Sequence, residues 1–227
     1  MCPSRLSFVQ DPSVADWIAP RLGPFGGQVG SVVPRGFPAS ARVLHPVRDH
    51  DGEPATWSAV CARTGQVAHA LMQWRSISSP GVEDGTGRST SGGMPWDGDE
   101  PLVGDLEPQT LAALCGILAG HTDPAVDCFF ARRLHHPGRD YLLFSGPLEA
   151  AMDLGHWPSQ DWFVSQSPSL IWPTDNSWCV ATEVDFDSTL IAGDNHLIDT
   201  VLGAEDFEAT PIEPGDCLDS RGDTVNV

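Results

Sequence analysis

The sequence predicts an α+β fold, built as one mixed, mainly antiparallel sheet with helices packed on it. Three observations lead to this class. Strand-like segments outnumber helical ones, the strand segments near the C-terminus are joined by connections too short for a helical crossover, and no repeat period is visible. A chain of 227 residues can bury a hydrophobic core, and we predict a single domain spanning residues 1–227.

Two helices are predicted in the first part of the chain. Asp11 is a good N-cap for the first helix, which Pro20 is expected to end or kink. The second is a compact helix that begins after the N-cap candidate Thr56 and closes at Gly65. Strands are predicted over Val29–Val33 and Ala39–Leu44, separated by the turn signal at 34–36, and over Met72–Ile77.

The second part of the chain contains the most periodic helix. It begins at Pro108 and ends before Gly120, with apolar residues repeating at spacings of three and four. Shorter helices are predicted over 147–153 and after the N-cap candidate Asp194. Strands are predicted over Val126–Ala131, Tyr141–Phe144, Leu170–Trp172, Trp178–Phe186, Leu190–Ala192 and Phe207–Ile212.

The connection over about residues 78–106 is rich in Gly, Ser, Pro and acidic residues. Its only apolar island is Met94-Pro95-Trp96. Such a long stretch without periodicity is uncommon inside a domain, so we predict a flexible excursion, with an ordered lid over a site as the alternative.

Charge excludes several function classes. All 12 basic residues are arginine, which rules out mechanisms that need a lysine amine, including the phosphate-binding Walker lysine and Schiff-base enzymes. The net charge of −19 predicts no binding to nucleic acid or to anionic membranes. The charge is uneven, because residues 175–227 hold 13 acidic residues and the single Arg221, a net charge of −12.

Six cysteines without a C-x-x-C pattern, behind an N-terminus that shows no apolar signal segment, predict a cytoplasmic protein with reduced thiols. The longest mostly apolar stretch, Leu111 to Gly120, is about half of what a bilayer requires. No membrane-spanning helix is therefore expected.

Several blocks of sequence carry a resemblance. They include Val-Val-Pro-Arg-Gly-Phe at 32–37, Ala-Arg-Val-Leu-His-Pro at 41–46, and Trp-Cys-Val-Ala-Thr-Glu-Val-Asp at 178–185. Together they resemble an uncharacterised family of actinobacterial cytoplasmic proteins, which implies a shared fold and no particular reaction. Ser40 departs from that pattern, which usually has an aromatic residue there, and residues 129–140 lack the expected Gly and Trp-rich stretch. In composition and layout the chain is also similar to the SUKH class of bacterial immunity proteins.

Alternation along residues 181–188 is the main candidate for a catalytic or metal site. On a strand, Glu183, Asp185 and Asp187 would project from one face, where three carboxylates are suited to Mg²⁺. Asp194 and His196 are candidates to join them from the next helix. The alternative is a solvated strand face of the kind that antiparallel sheets normally have.

Histidine and cysteine offer weaker candidates. Cys115, His121, Cys128 and His135 are possible zinc ligands, but they match no standard zinc spacing, so buried structural cysteines and a surface histidine pair are the favoured explanation. The basic cluster formed by Arg132, Arg133, His135, His136 and Arg139 is a candidate anion site. His45 with Cys61 or Ser145 would make a nucleophilic dyad, although a structural histidine is the simpler interpretation.

We predict a non-enzymatic acidic binding protein, of an immunity or adaptor kind, that docks a basic protein partner and needs no cofactor. Trp96 and Trp162 lie in polar sequence and are candidate anchors, and the acidic surface is represented by Asp185, Asp187 and Glu205. The alternative is a divalent-cation-dependent hydrolase or transferase that uses Glu183, Asp185 and Asp187 with Mg²⁺.

Overall fold

The computed structural model describes residues 5–79, 94–133 and 141–226. Its centre is an eight-stranded sheet in the order β1-β6-β5-β9-β10-β11-β2-β12. The strands of this sheet are β1 (Ser7–Phe8), β2 (Ala39–Leu44), β5 (Cys128–Arg133), β6 (Tyr141–Gly146), β9 (Leu170–Pro173), β10 (Cys179–Ala181), β11 (Ser188–Gly193) and β12 (Ala209–Pro211). The predicted α+β class is confirmed, and every pairing among the described strands is antiparallel.

Two short hairpins accompany the sheet. One pairs β3 (Val47–Arg48) with β4 (Pro54–Ala55), and the other pairs β7 (Gly155–Ser159) with β8 (Trp162–Ser165). Neither hairpin is predicted from the sequence, because β3 and β4 have only two residues each and Pro158 interrupts β7.

Both faces of the sheet are covered, and β11 shows how the sequence achieves this. Ile191 faces a core that contains helices α3 (Pro108–Ala119) and α4 (Asn195–Leu202). Leu190 and Ala192 face the opposite side, where they pack with Val29 and other residues of the terminal segments. A strand buried on both faces carries apolar residues in a continuous run rather than at alternate positions, as at 190–192.

The sequence signals at the ends of these helices are confirmed. Pro108 occupies the first turn of α3, where its missing N–H costs nothing. Asp194 caps α4 by accepting a 2.7 Å hydrogen bond from the Leu197 backbone N–H. The segment predicted as a helix over 147–153 is a 3₁₀ helix, Leu148–Asp153.

A smaller core lies beyond the end of β2. Helix α1 (Trp57–Thr64) begins at the predicted cap Thr56 and ends at Gly65, whose φ of +77° favours glycine. The strand predicted over Met72–Ile77 is wrong, because helix α2 (Trp74–Ser78) occupies this segment. The spacing of three between Trp74 and Ile77 places both side chains against α1.

The N-terminal predictions are partly wrong. Pro20 does interrupt the first helix, leaving two 3₁₀ turns, Pro12–Ala15 and Ala19–Arg21. The strand predicted over Val29–Val33 is a 3₁₀ turn, Val29–Ser31. The N–H groups of Val29 and Gly30 donate to the Asp216 and Pro214 carbonyls, so a distant C-terminal segment determines this conformation.

The predicted strand over 178–186 is much shorter than expected. It ends at Ala181, and residues 182–187 form the loop between β10 and β11, in which the Phe186 N–H donates to the Glu183 carbonyl. The alternating arrangement of Glu183, Asp185 and Asp187 on one strand face is therefore wrong. Of the predicted excursion over 78–106, residues 80–93 lie outside the described residues, and 94–107 run without regular structure until α3.

Candidate functional site

The loop between β10 and β11, residues 182–187, distributes its carboxylates in two directions. Glu183 and Asp185 line a surface cleft, together with the half-buried ring of Phe186. Asp187 instead accepts a hydrogen bond from the guanidinium of Arg42. A tight turn separates the three side chains that a strand would have aligned, because consecutive residues of a turn do not share the two-residue periodicity of a strand.

The cleft that contains Glu183 and Asp185 has a volume of about 330 Å³, and we call it the acidic cleft. Its opposite wall comes from the N-terminal glycine-rich segment and from the C-terminal segment. Phe25 contributes an aromatic ring that is 82% exposed. The charged residues that line the cleft are Glu183, Asp185, Asp219 and Arg221.

Within the acidic cleft, Asp219 already holds a guanidinium. Its carboxylate accepts hydrogen bonds at 2.5 and 3.1 Å from Arg221, and the Cys217 thiol donates to it at 3.0 Å. The hydrogen bond from the Arg221 side chain lowers the pKa of Asp219 below its usual range. The Arg221 side chain is 80% exposed, and exposed ion pairs contribute little stability. The pair of Asp219 and Arg221 is therefore not essential to the stability of the fold.

Asp187 belongs to a different environment, which we call the buried polar row: Arg42, His45, Thr182, Asp187, Ser188 and Thr189. Arg42 is fully buried and donates to Asp187 at 3.2 Å, to the Ser188 hydroxyl at 2.9 Å and to the Met72 carbonyl at 2.9 Å. Its guanidinium also lies over the ring of Trp57. Because a buried charge is costly unless it is paired and hydrogen-bonded, these contacts are structural.

His45 is also structural, as the simpler of the two interpretations predicts. Its Nδ1 lies 2.5 Å from the Leu102 carbonyl, which can only accept, so Nδ1 carries the proton. Its Nε2 lies 3.0 Å from the Thr189 hydroxyl, which also contacts Thr182 at 2.9 Å. Burial lowers the pKa of His45. Both nitrogens are therefore occupied and neither is available as a general base.

The two nucleophiles proposed for His45 are unsuitable for separate reasons. Burial raises the pKa of the Cys61 thiol to about 11, so it stays protonated at neutral pH. Ser145 lies on β6, five strand positions from β2 in the sheet, which corresponds to roughly 24 Å. The nucleophilic dyad is therefore wrong for both residues.

The remaining predicted residues lie apart from one another. Trp162 is 61% exposed on the β7–β8 hairpin. Trp96 is half-buried, packs edge-on against Trp74 and lies beneath the guanidinium of Arg63. Its ring therefore packs at the periphery of the smaller core. Glu205 is exposed and lines a second cleft of about 230 Å³ beside Pro46 and Phe207.

The predicted metal and anion sets are not assembled among the described residues. In that part of the chain, three histidine or acidic side chains come within ligand distance of one another only at Asp49, His50 and Asp51 in the β3–β4 turn. The predicted carboxylate set is not among them. The zinc candidate His135 and most of the basic cluster lie outside the described residues, whereas Arg132 donates to the Ser167 carbonyl at 2.7 Å.

Comparisons with protein-family models, with curated proteins and with solved structures find no match to this chain. Within the described residues, no helix has the length and apolar character needed to cross a bilayer.

Sequence reasoning identified one side of the acidic cleft and missed the other. Asp185 is a predicted binding residue, whereas Phe25, Asp219 and Arg221 are not. A phenylalanine between glycines, at Gly23-Pro24-Phe25-Gly26, is a usable signal, because a large apolar side chain there has no neighbours with which to form a core. Nothing in the sequence indicates that residues 25 and 219 meet.

Proposed function

We propose that this protein is a non-enzymatic acidic binding protein whose acidic cleft docks an arginine-bearing segment of a basic protein partner. The observation that carries the proposal is that carboxylates from two chain segments, Glu183 with Asp185 and Asp219, line one cleft with the exposed aromatic ring of Phe25 from a third segment. A guanidinium binds carboxylates through paired hydrogen bonds and stacks on aromatic rings. An immunity or adaptor role fits this chemistry.

The internal pair between Asp219 and Arg221 supports an arginine ligand in particular. It shows that the wall of the cleft accommodates a guanidinium against a carboxylate, at 2.5 Å. Arg221 is also the only basic residue in the strongly acidic segment 175–227. An incoming arginine would replace Arg221 on Asp219 or occupy the adjacent Glu183 and Asp185.

The test uses a fluorescent peptide of alternating arginine and glycine and measures its anisotropy with the intact protein. The double variant Glu183→Gln/Asp185→Asn should bind about tenfold more weakly, because each ion pair made at the surface contributes up to about 1 kcal/mol. The variant Arg221→Ala should bind more tightly, because it removes the internal competitor. Phe25→Ala should mainly speed dissociation.

The matched control is Glu205→Gln/Asp206→Asn, which removes the same charge at two exposed positions outside the acidic cleft. If that variant weakens binding as much as the cleft variant, the peptide responds to net charge alone and the proposed site is wrong. With a complete basic partner, Trp162→Ala tests whether the exposed indole is a second anchor through its effect on the dissociation rate.

A further inference from the structure

Two histidines that are 75 residues apart in the chain meet on the surface of the protein. The imidazole rings of His121 and His196 lie 4.8 Å apart between centroids, with an interplanar angle of 65°. His121 follows the end of α3, and His196 lies in the first turn of α4. The packing of α3 against α4 brings them together.

Among the described residues, these two imidazoles differ from those of His45, His50 and His69, which have hydrogen-bond or ion-pair partners. Both ring nitrogens of His45 are hydrogen-bonded, His69 holds Asp223 at 2.9 Å and receives the Leu71 N–H, and His50 contacts two carboxylates. Neither His121 nor His196 has a hydrogen bond or ion pair from its ring within the described part of the chain. Their nitrogens are thus available to a ligand.

The backbone around both histidines is well held. The His121 N–H donates to the Leu118 carbonyl, and its neighbour Thr122 is fixed by Leu118 and by the Trp178 indole N–H at 3.0 Å. On the other side, the His196 carbonyl accepts from the Thr200 hydroxyl at 2.8 Å. A pair of ligands on rigid elements loses little freedom when it binds an ion.

The distance between the rings matches chelation of one metal ion. A metal–nitrogen bond of about 2.0–2.1 Å puts the centroid of a coordinating imidazole roughly 3.2 Å from the metal. At ligand–metal–ligand angles of roughly 90–110°, the two centroids are then roughly 4.5–5.2 Å apart. The observed 4.8 Å lies inside this range.

We propose that His121 and His196 form a surface site for a borderline divalent transition metal such as Zn²⁺, Ni²⁺ or Cu²⁺. Imidazole suits these ions, whereas Mg²⁺ and Ca²⁺ prefer oxygen ligands. Two protein ligands leave the other coordination positions to water. This site is separate from the acidic cleft and from the carboxylates that the sequence associates with Mg²⁺, so its test is independent of the proposed function.

The experiment titrates untagged protein with Zn²⁺ and Ni²⁺ by calorimetry and records the electron paramagnetic resonance spectrum with one equivalent of Cu²⁺. The wild-type protein should bind one ion per chain, and the Cu²⁺ spectrum should show two coordinated imidazole nitrogens. His121→Ala and His196→Ala should each weaken binding by about a hundredfold, because the second ligand no longer acts at high effective concentration.

Two controls make the result specific. His156→Ala removes another exposed histidine, and His135→Ala/His136→Ala removes a histidine pair that is adjacent in sequence. Both variants should bind like the wild type, and Mg²⁺ should not compete. Absence of saturable binding, binding that survives both single variants, or binding lost in either control would overturn the proposal.

Discussion

The buried polar row and the acidic cleft begin at the same loop and both contain carboxylates. In the row the carboxylate pairs with a buried group, whereas in the cleft the carboxylates lie at the surface. Asp187 turns inward to a fully buried arginine, while Asp185, two residues earlier, lies exposed at the cleft. In the row, each charge or dipole has its partner inside the protein. In the cleft, Asp185 and the ring of Phe25 are exposed, and the partner of Asp219 is the exposed guanidinium of Arg221.

In an acidic protein, the role of a carboxylate therefore depends on whether its partner is buried. A carboxylate whose partner is buried contributes to stability, and its removal leaves that partner uncompensated. An exposed carboxylate contributes little to stability and remains available to a ligand. Composition alone does not separate the two groups, since both belong to the segment with a net charge of −12.

The largest expected effect is on the free energy of unfolding, and it should separate the same substitution made at Asp187 and at Asp185. Asp187→Asn leaves the guanidinium of Arg42 without its anionic partner and should lower the free energy of unfolding by about 2–3 kcal/mol, somewhat less than for a fully buried pair because Asp187 is 22% exposed. Asp185→Asn should change it by no more than about 0.5 kcal/mol. Urea denaturation measures both. Equal effects would remove the distinction between the two regions.

A second effect concerns His45 in the buried polar row. His45→Gln should cost about 1–3 kcal/mol, because it disturbs hydrogen bonds to Leu102 and Thr189. Burial lowers the pKa of His45 in the folded protein, so the unfolded chain takes up the proton first as the pH falls. The wild type should therefore lose stability as the pH drops from about 6.5 to 5, with a slope of up to about 1.4 kcal/mol per pH unit.

The comparison that isolates this contribution is the difference between wild type and His45→Gln across that pH range. The difference should shrink as the pH falls, because the variant has no imidazole to protonate. A difference that stays constant from pH 7.5 to 5 would mean that the pKa of His45 is not lowered in the folded protein.

The smallest effect is a difference in thiol reactivity with no change in stability. Cys217 is half-buried and donates to Asp219 in the acidic cleft, whereas Cys61, Cys115, Cys128 and Cys179 are buried. Burial raises the pKa of the Cys61 thiol to about 11 and those of the other three to about 12. In a Cys2→Ser background, one thiol should react with a disulfide reagent at least about tenfold faster than the rest.

Mass spectrometry should identify the fast thiol as Cys217, and the arginine peptide should slow its labelling. Labelling of Cys61 at a comparable rate would show that the α1–α2 core opens readily. Unchanged labelling of Cys217 in the presence of saturating peptide would place the peptide elsewhere on the surface.

Structural elements with local signals are predictable from the sequence alone. Helices begin or end as predicted at Thr56, Gly65, Pro108 and Asp194, because caps and first-turn prolines act through the backbone of neighbouring residues. The net charge also follows directly from composition.

Other conformations and contacts depend on residues that are distant in the sequence, and only the tertiary structure reveals them. Val29 and Gly30 form a turn because the chain at 214–216 accepts their hydrogen bonds, and the segment at 72–77 contains helix α2, which packs against α1. In the same way, Asp187 pairs with Arg42 and the ring of His121 contacts the ring of His196, whereas Phe25 and Asp219 line one cleft. The energy of each arrangement comes from a contact between residues that are far apart in the chain, and a local pattern of residues carries no record of that contact.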